Sequence, residues 1–475
     1  MQSASLTFPA LNLLAAVVLA TFASILLGRR TNPLLWAFVM VTLVFVYGLP
    51  DQQYSINVDV EVLALTHFLM LAYLLMVMLI ARGRSGSLND VIACCTAIPS
   101  RALVVIALAW LSVRAYLLVR HGPAALLFSR AQLEQATGLV EFASFEVAIS
   151  SITTLLLLGA IALVAIRHAA GHGVGSRLVT VSLLLMLVLI IVANESPIGS
   201  RRLLLVLAAL WVAVVWARFG LSPRAWTWRQ RARLASVVLA VGLLSVYYQQ
   251  VRNNDISDLL SADQPIEVIA GVWKFASTFE QGTAQEDVQY LRSGPLDFFA
   301  KVVEVALMDG KSTGGEATAF SLALAVPKAL YPGEKPIGDV DQILESHLQI
   351  YPDRPVLNVD YSTSLPAIGV ADFGPVGVVP AALLLGLLFV AAGQAMRSFA
   401  FGPYARIVGL GLMIQLIGSQ EVSLTGVLSA ARDACLALLL VMIGSYALRI
   451  GSQALRCAVI QRASSSPVNH GQLQR

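Results

Sequence analysis

The sequence predicts an all-α protein: a polytopic integral membrane helical bundle of about 11 spans, with a large late outer loop folded as a partly helical cap. Three observations predict it. The first is composition. Of 475 residues, 57 % are hydrophobic and 13 % charged, and mean hydropathy is +0.76. A soluble domain carries roughly 25 % charged residues. A water-soluble fold with this apolar excess would have too few charges to coat its surface. That excludes an ordinary soluble enzyme, a disordered chain and a disulfide scaffold. The solvent left is lipid.

The second observation is the spacing of charge. A bilayer core of about 30 Å takes roughly 20 apolar residues as helix. Residues 1–28, 31–50, 62–81, 147–166, 178–194, 234–251 and 373–396 hold no charge, and 102–119 is interrupted only by Arg114. Three shorter runs, 203–217, 407–420 and 434–448, are flanked by Arg, Glu or Asp. Arginine at such ends snorkels to the interface. The first run has no basic residue before it, and Arg29-Arg30 follow it. It reads as a retained first helix with its N-terminus outside, not a cleaved signal.

The third is arginine placement. The loops holding Arg29/Arg30, Arg82/Arg84/Arg101, Arg167/Arg177, Arg218 to Arg233, Arg397/Arg406 and the tail from Arg449 together carry 18 Arg and one acid, Asp90. The other 27 acids lie elsewhere. By the positive-inside rule those loops are cytoplasmic. The N-terminus is then outside and the C-terminus inside, which needs an odd number of spans. Cys94, Cys95 and Cys457 fall in cytoplasmic segments and Cys435 in a span, so neither a disulfide nor a CxxC metal site is expected.

The resulting organisation is a membrane bundle over 1–251 with about eight spans, a cap over 252–366, further spans over 367–448 and a basic cytoplasmic tail over 449–475. The cap segment holds all five lysines, three arginines and 17 acids. Within it, Pro295–Met308 has Leu296, Phe299, Val302, Val303 and Leu307 near helical spacing. Ala319–Leu330 is a second, nearly apolar stretch, ended by Pro327 and Pro332. Both read as short helices on the membrane surface. A loop this long is usually functional.

Candidate chemistry collects on the outer side. Arg201 and Arg202, in NESPIGSRR, stand at the outer mouth of a helix, and guanidinium forks suit phosphate. Snorkelling to lipid head groups is the plain alternative. Arg252, just past the 234–251 run, and Arg432, at the start of the last run, would complete a ring of cations for a polyanionic head group. Arg432 alternatively pairs with Asp433. Arg114 is an intramembrane charge and so a functional candidate. His67, alone in an apolar run, reads as a core histidine. His347 sits among Asp339, Asp341, Glu345 and Asp353 and would serve as a general base. Asp360 is its competitor. No HExxH, GxSxG, Walker A or GxGxxG motif stands in its proper context.

Ala325-Val-Pro-Lys-Ala-Leu-Tyr-Pro-Gly-Glu-Lys-Pro336 resembles the "IPR-aromatic-P-x-KP" segment of oligosaccharide repeat-unit polymerases, the Wzy-type O-antigen polymerases. Tyr361-Ser-Thr-Ser followed by Asp372-Phe-Gly-Pro-Val-Gly377 is similar to that family's Ser/Thr-rich stretch and "FGxxG". Gly199-Ser-Arg201 resembles its "GSR". The Glu that many members carry before FGxxG is missing here. The resemblance implies transfer of a glycan from undecaprenyl diphosphate to a sugar hydroxyl of an incoming lipid-linked unit, at the outer face of a bacterial inner membrane. Diphosphate-binding residues would be Arg201, Arg202, Arg252, Lys335 and Arg432, with His347 or Asp360 as base. No cofactor or metal is expected. Partners would be lipid-linked oligosaccharides, membrane lipid, and a chain-length regulator and flippase of the same pathway, not nucleic acid. An O-antigen ligase-like transferase is the nearest alternative. A metal-dependent glycosyltransferase using Asp59 and Glu61, and a non-enzymatic lipid-linked oligosaccharide transporter, are others.

Overall fold

The computed structural model describes residues 4–28, 32–47, 58–82, 87–121, 144–171, 181–187, 200–219, 228, 291–292, 295–326, 331, 340–350, 359–360, 363–397, 402–418 and 423–464. The first half of the chain supplies α1 (Ala4–Leu27), α2 (Pro33–Phe45), α3 (Val60–Arg82), α5 (Ser100–His121), α6 (Ser144–Ala169) and α7 (Ser200–Phe219), with a short α4 (Leu88–Thr96) after α3. From the polar segment come α8 (Pro295–Met308), α9 (Glu316–Ala325) and α10 (Val340–Leu348). Then follow α11 (Leu365–Phe373), a 3₁₀ turn (Gly374–Gly377), α12 (Val378–Arg397), α13 (Gly402–Gly418) and α14 (Leu424–Ser464). The β structure among the described residues is one parallel ladder, β1 (Leu291–Arg292) beside β2 (Val359–Asp360), pairing Leu291 with Val359 and Arg292 with Asp360.

Among the described residues, six stretches are long and apolar enough to cross a membrane: Ala10–Leu27, Val60–Arg82, Ser100–His121, Phe145–Ala169, Leu365–Arg397 and Leu424–Tyr446. Pro33–Val44 and Leu203–Arg218 are shorter apolar helices. The run at 178–194 is described only at 181–187, where it is helical, and the run at 234–251 lies outside the described residues. In lipid a chain must satisfy its own backbone groups, which a helix does and a loop does not. The exposed faces are apolar as well: Leu13, Phe68, Leu387, Leu439 and Ile443 are all more than half exposed. That is the exposure expected of a multi-pass protein solvated by lipid.

Chain signals fix the local starts and stops. At α2, Asn32 Oδ1 accepts from Leu34 N–H at 2.9 Å and Pro33 opens the helix with its fixed φ. Trp36 Nε1 donates to Gly28 O at 3.2 Å and closes the corner with α1. Ser87 and Asp90 form a capping box on α4. The Ser87 N–H at 2.8 Å and the Ser87 hydroxyl hold the Asp90 carboxyl below its usual range. The other end of α4 is closed by Arg167 of α6. Its Nε and Nη2 donate to Cys95 O at 2.9 and 2.6 Å, and Nη2 also donates to Thr96 O at 3.3 Å and to Ile98 O. A cation at a helix C-terminus is the favoured sign. Burial there pushes the Cys95 thiol up to about 12 and the Cys94 thiol up as well.

α13 is the axis of the bundle. Every residue from Ala405 to Gly418 is buried, and α2, α6, α7, α12 and α14 surround it. Small residues let backbones approach inside a membrane. A Cβ on Gly159 of α6 would collide with Ile407 O, and one on Gly411 with Leu155 O. A Cβ on Gly409 would lie 2.7 Å from Ala392 O of α12.

Two elements differ from the expectation drawn from charge spacing. The uncharged run 373–396 is not one span starting at 373. Gly374 takes φ +65°, and Gly377 lies against Gly369, its Cα 3.5 Å from a Cβ placed there. Eight residues of continuous helix would separate these two by about 12 Å, so the chain folds back between α11 and α12. The helix α11 therefore crosses the expected boundary at 366. The second difference is α8, whose range matches the amphipathic stretch but which does not lie with one face open. Leu296, Phe298, Phe299, Ala300, Val302 and Val303 are all at most 1 % exposed, because α3, α10 and α11 enclose it.

Candidate functional site

The polar segment is fastened to the bundle through α9, and the fastening is electrostatic at both ends. Upstream of α9 the chain reads Gly310-Lys-Ser-Thr-Gly-Gly315. Gly315, the N-cap residue, has φ +95°, a left-handed conformation that residues with a Cβ rarely adopt. The turn exposes the first N–H groups of α9 to the side chain of Asp372, near the end of α11. Asp372 is buried at 4 % exposure. Its Oδ1 accepts from Gly315 and Ala317 N–H at 3.2 Å each and from the Thr313 hydroxyl. Its Oδ2 accepts from Thr318 N–H at 2.8 Å and from the Thr318 hydroxyl. Thr313 N–H donates to Ala371 O at 3.0 Å and the Ser312 hydroxyl to Asp372 O at 3.1 Å. A carboxylate at a helix N-terminus with two amide-rich oxygens is a charge-assisted cap.

At the far end, about 15 Å away for ten residues of helix, Arg432 of α14 donates from Nη1 to Ala325 O at 3.0 Å. The same guanidinium holds Asp433 Oδ1 at 2.8 Å from Nε and 2.8 Å from Nη2. Asp433 also takes a hydrogen bond from Ser151 of α6. An anion caps the positive end of α9 and a cation its negative end. The cap is thereby tied to α11, α14 and α6.

On the outer edge of this strut stands His347, in the last turn of α10. Its Nε2 lies 3.0 Å from Glu316 Oε2, with side-chain exposures of 39 % and 64 %. A carboxylate only accepts, so the neutral ring carries its proton on Nε2 and keeps its lone pair on Nδ1. The ring orientation is thereby set, and Nδ1 is the nitrogen left with an open lone pair. The carboxylate that contacts the ring is Glu316, not one of the acids near His347 in sequence. Asp341 is six residues back on the same helix and Asp339 and Asp353 lie outside the described residues.

The remaining predicted residues are placed as follows. Arg201 and Arg202 fall in the first turn of α7, the end least favourable to cations, and their side chains lie outside what is described. Asp360 is in β2, opposite Arg292 in register, again with its side chain outside the described residues. Arg252 and Lys335 lie outside the described residues. Arg432, expected in the ring of head-group cations with a pair to Asp433 as the alternative, is engaged in the α9 clamp, on Asp433 and on Ala325 O. Arg114 is 5 % exposed with its guanidinium 5.3 Å from the Trp110 ring centre. His67 is a satisfied core histidine: Nδ1 lies 2.7 Å from Leu63 O and Nε2 2.6 Å from the Asn12 side chain. Among the described residues, no group of three His, Cys, Asp or Glu is placed to hold a metal ion.

Sequence reasoning assigned no role to Asp372, Glu316 or Ser364. It also passed over Glu146, buried at 3 % and bridged by Arg120 at 2.7 Å and His121 at 3.3 Å. The glycines at 310, 314 and 315 were the visible signal for the Asp372 cradle. Comparison of the chain with family models, curated proteins and solved structures finds no match.

Proposed function

We propose that this protein polymerises lipid-linked oligosaccharide repeat units at the outer face of a bacterial inner membrane. The observation that carries the reading is the docking of a polar, His–Glu-bearing cap onto apolar spans through Asp372, the residue that opens the Asp372–Gly377 stretch resembling the polymerases. Two substrates tethered in lipid need such an arrangement, with reactive groups in water just above the bilayer. In the reaction, the bond from the donor's anomeric carbon to the diphosphate oxygen breaks. A bond from that carbon to the acceptor hydroxyl forms. The acceptor proton passes to His347 Nδ1, with Asp360 as the competing base, and the diphosphate leaves against Arg201, Arg202, Arg252 and Lys335. Arg432 serves through the clamp. The reaction uses no metal. The full topology is about 11 spans, with the N-terminus and cap in the periplasm and the C-terminus in the cytoplasm. A chain-length regulator and a flippase are the expected partners.

A second reading has one observation in its favour. The reversal at Gly374 interrupts an apolar stretch, and broken helices are common in transporters. Purified protein in liposomes separates the two. Incubation with lipid-linked repeat units should give a ladder of longer glycans, unchanged by a chelator and absent with His347→Ala. Movement of the units across the bilayer with no ladder would establish transport instead, and transfer only onto a lipid A-core acceptor would establish a ligase. Ser346→Cys should be labelled from outside intact cells and Asn89→Cys protected; the reverse would overturn the orientation.

A further inference from the structure

We infer that the N-terminus of α11, with the hydroxyl of Ser364, is a binding site for a diphosphate oxygen. The inference rests on the polymerase reading for the source of the diphosphate, but not for the site itself. Ser364 is the N-cap residue, with φ −93° and ψ 156°. An N-cap hydroxyl on such a backbone normally accepts from an N–H two or three residues on. Here it does not. The residue two on is Pro366, which has no N–H, the hydroxyl does not accept from Ala367 three on, and among the described residues it has no hydrogen-bond partner. It is also 0 % exposed, between Thr363 at 5 % and Leu365 at 4 %. A buried hydroxyl without a partner is uncommon, because burial strips it of water and returns nothing.

The helix behind it adds to the same preference. Ile368 N–H donates to Ser364 O at 3.1 Å, so the donors of Leu365 and Ala367 are the first-turn pair with no intrahelical acceptor. Together with the dipole they favour an anionic oxygen. α11 is also rigidly placed. Its far end is held by the Asp372 cradle, and its middle presses on Gly377 without room for a Cβ. The N-terminus is thus a preorganised set of donors, which is what stabilising a departing diphosphate requires. One helix therefore has its two ends in different use: its last turn supplies a carboxylate to α9, and its first turn offers N–H groups that have no acceptor within the helix.

The test uses full-length protein in detergent with inorganic pyrophosphate and, separately, farnesyl diphosphate, read by calorimetry. Wild-type protein should bind pyrophosphate. Ser364→Ala, which loses one donor to a charged ligand, should bind roughly tenfold more weakly. Ser364→Asp places a carboxylate in the capping position, so it should abolish binding while unfolding at the wild-type temperature or above. Farnesyl diphosphate displacing pyrophosphate identifies a lipid-linked source; pyrophosphate alone binding identifies the free anion. Wild-type protein that binds neither, or Ser364→Ala and Ser364→Asp that bind as wild type, would overturn the site. The liposome ladder keeps the two claims apart. A normal ladder from Ser364→Asp discards the site and leaves the polymerase standing. Binding lost in Ser364→Asp, with no ladder from wild type, does the opposite.

Discussion

Replacing Asp372 by Asn keeps the shape of the side chain and removes its charge. In the cradle, Oδ1 takes three donors and Oδ2 takes two, both from Thr318. The best orientation of the amide keeps the three on its oxygen and turns its NH₂ toward Thr318. The Thr318 hydroxyl then rotates to accept, but the Thr318 N–H loses its acceptor inside the fold. A hydrogen bond to a charged group is worth about 1.5–3 kcal/mol, and a charge at a helix N-terminus about 0.3–1 kcal/mol, up to about 2 when partly buried. The first turn of α9 should therefore loosen by about 2–4 kcal/mol. Since about 1.4 kcal/mol is tenfold, amide exchange of residues 317–320 should quicken by roughly 30- to 1000-fold, measured by mass spectrometry on reconstituted protein. Asp372→Ala should exceed it. Exchange within threefold of wild type for both variants would refute the clamp as the source of α9's stability.

Arg432→Ala should loosen the other end of α9 by about 2–4 kcal/mol, because it leaves Asp433 buried without its cation. Arg432→Met with Asp433→Leu should recover most of this in the same exchange measurement, since breaking a buried pair costs more than replacing it. Gly411→Val should cost at least about 1–3 kcal/mol and reduce the folded fraction in size-exclusion chromatography, because its side chain meets the α6 backbone. Cys95, with its thiol pushed up to about 12, should be alkylated at pH 8 about 10³-fold more slowly than a free thiol of pKa about 8.5. Its raised pKa makes the fold's advantage complete below the thiol's ordinary range and lost as pH climbs through it toward the folded value. Arg167→Ala should raise the alkylation rate by opening α4. Glu316→Gln should slow glycan extension by roughly 10-fold or more and narrow its pH profile if Glu316 orients the His347 ring, whereas a surface pair without a role would leave both unchanged.

The helical runs that fall among the described residues, and the range of α8, could be read from charge spacing and period, since both report what each segment buries. The fold-back at Gly374 could not. Apolar composition is the same whether a chain continues or reverses, although Phe373-Gly-Pro carries the break signal. His347 shows how neighbourhood in sequence misleads. Asp341, six residues away, sits about 240° round the helix, while Glu316, 31 residues upstream, reaches the ring because α9 and α10 pack side by side. Asp372 looked like the edge of a span, since one acid beside an apolar run is what a membrane boundary looks like. Its role depends on a loop about 55 residues earlier closing on it. The Arg432–Asp433 pair was legible because the partners are adjacent, and the bond to Ala325 O was not.

The enclosed position of α13 bears on how the protein is made. A helix emerging from the ribosome first meets lipid on all sides. α13 carries Arg406 and Gln415 on surfaces that end up buried, and its glycines at 409 and 411 present bare backbone to neighbours instead of side chains to acyl chains. It is 17 residues long, short for a stand-alone insertion. It packs against α6 and α12, both synthesised earlier, and its last wall, α14, comes after it. Assembly is therefore ordered by the chain itself: the groove between α6 and α12 must stand open when residue 402 arrives and be sealed only once residues 424 onward have followed.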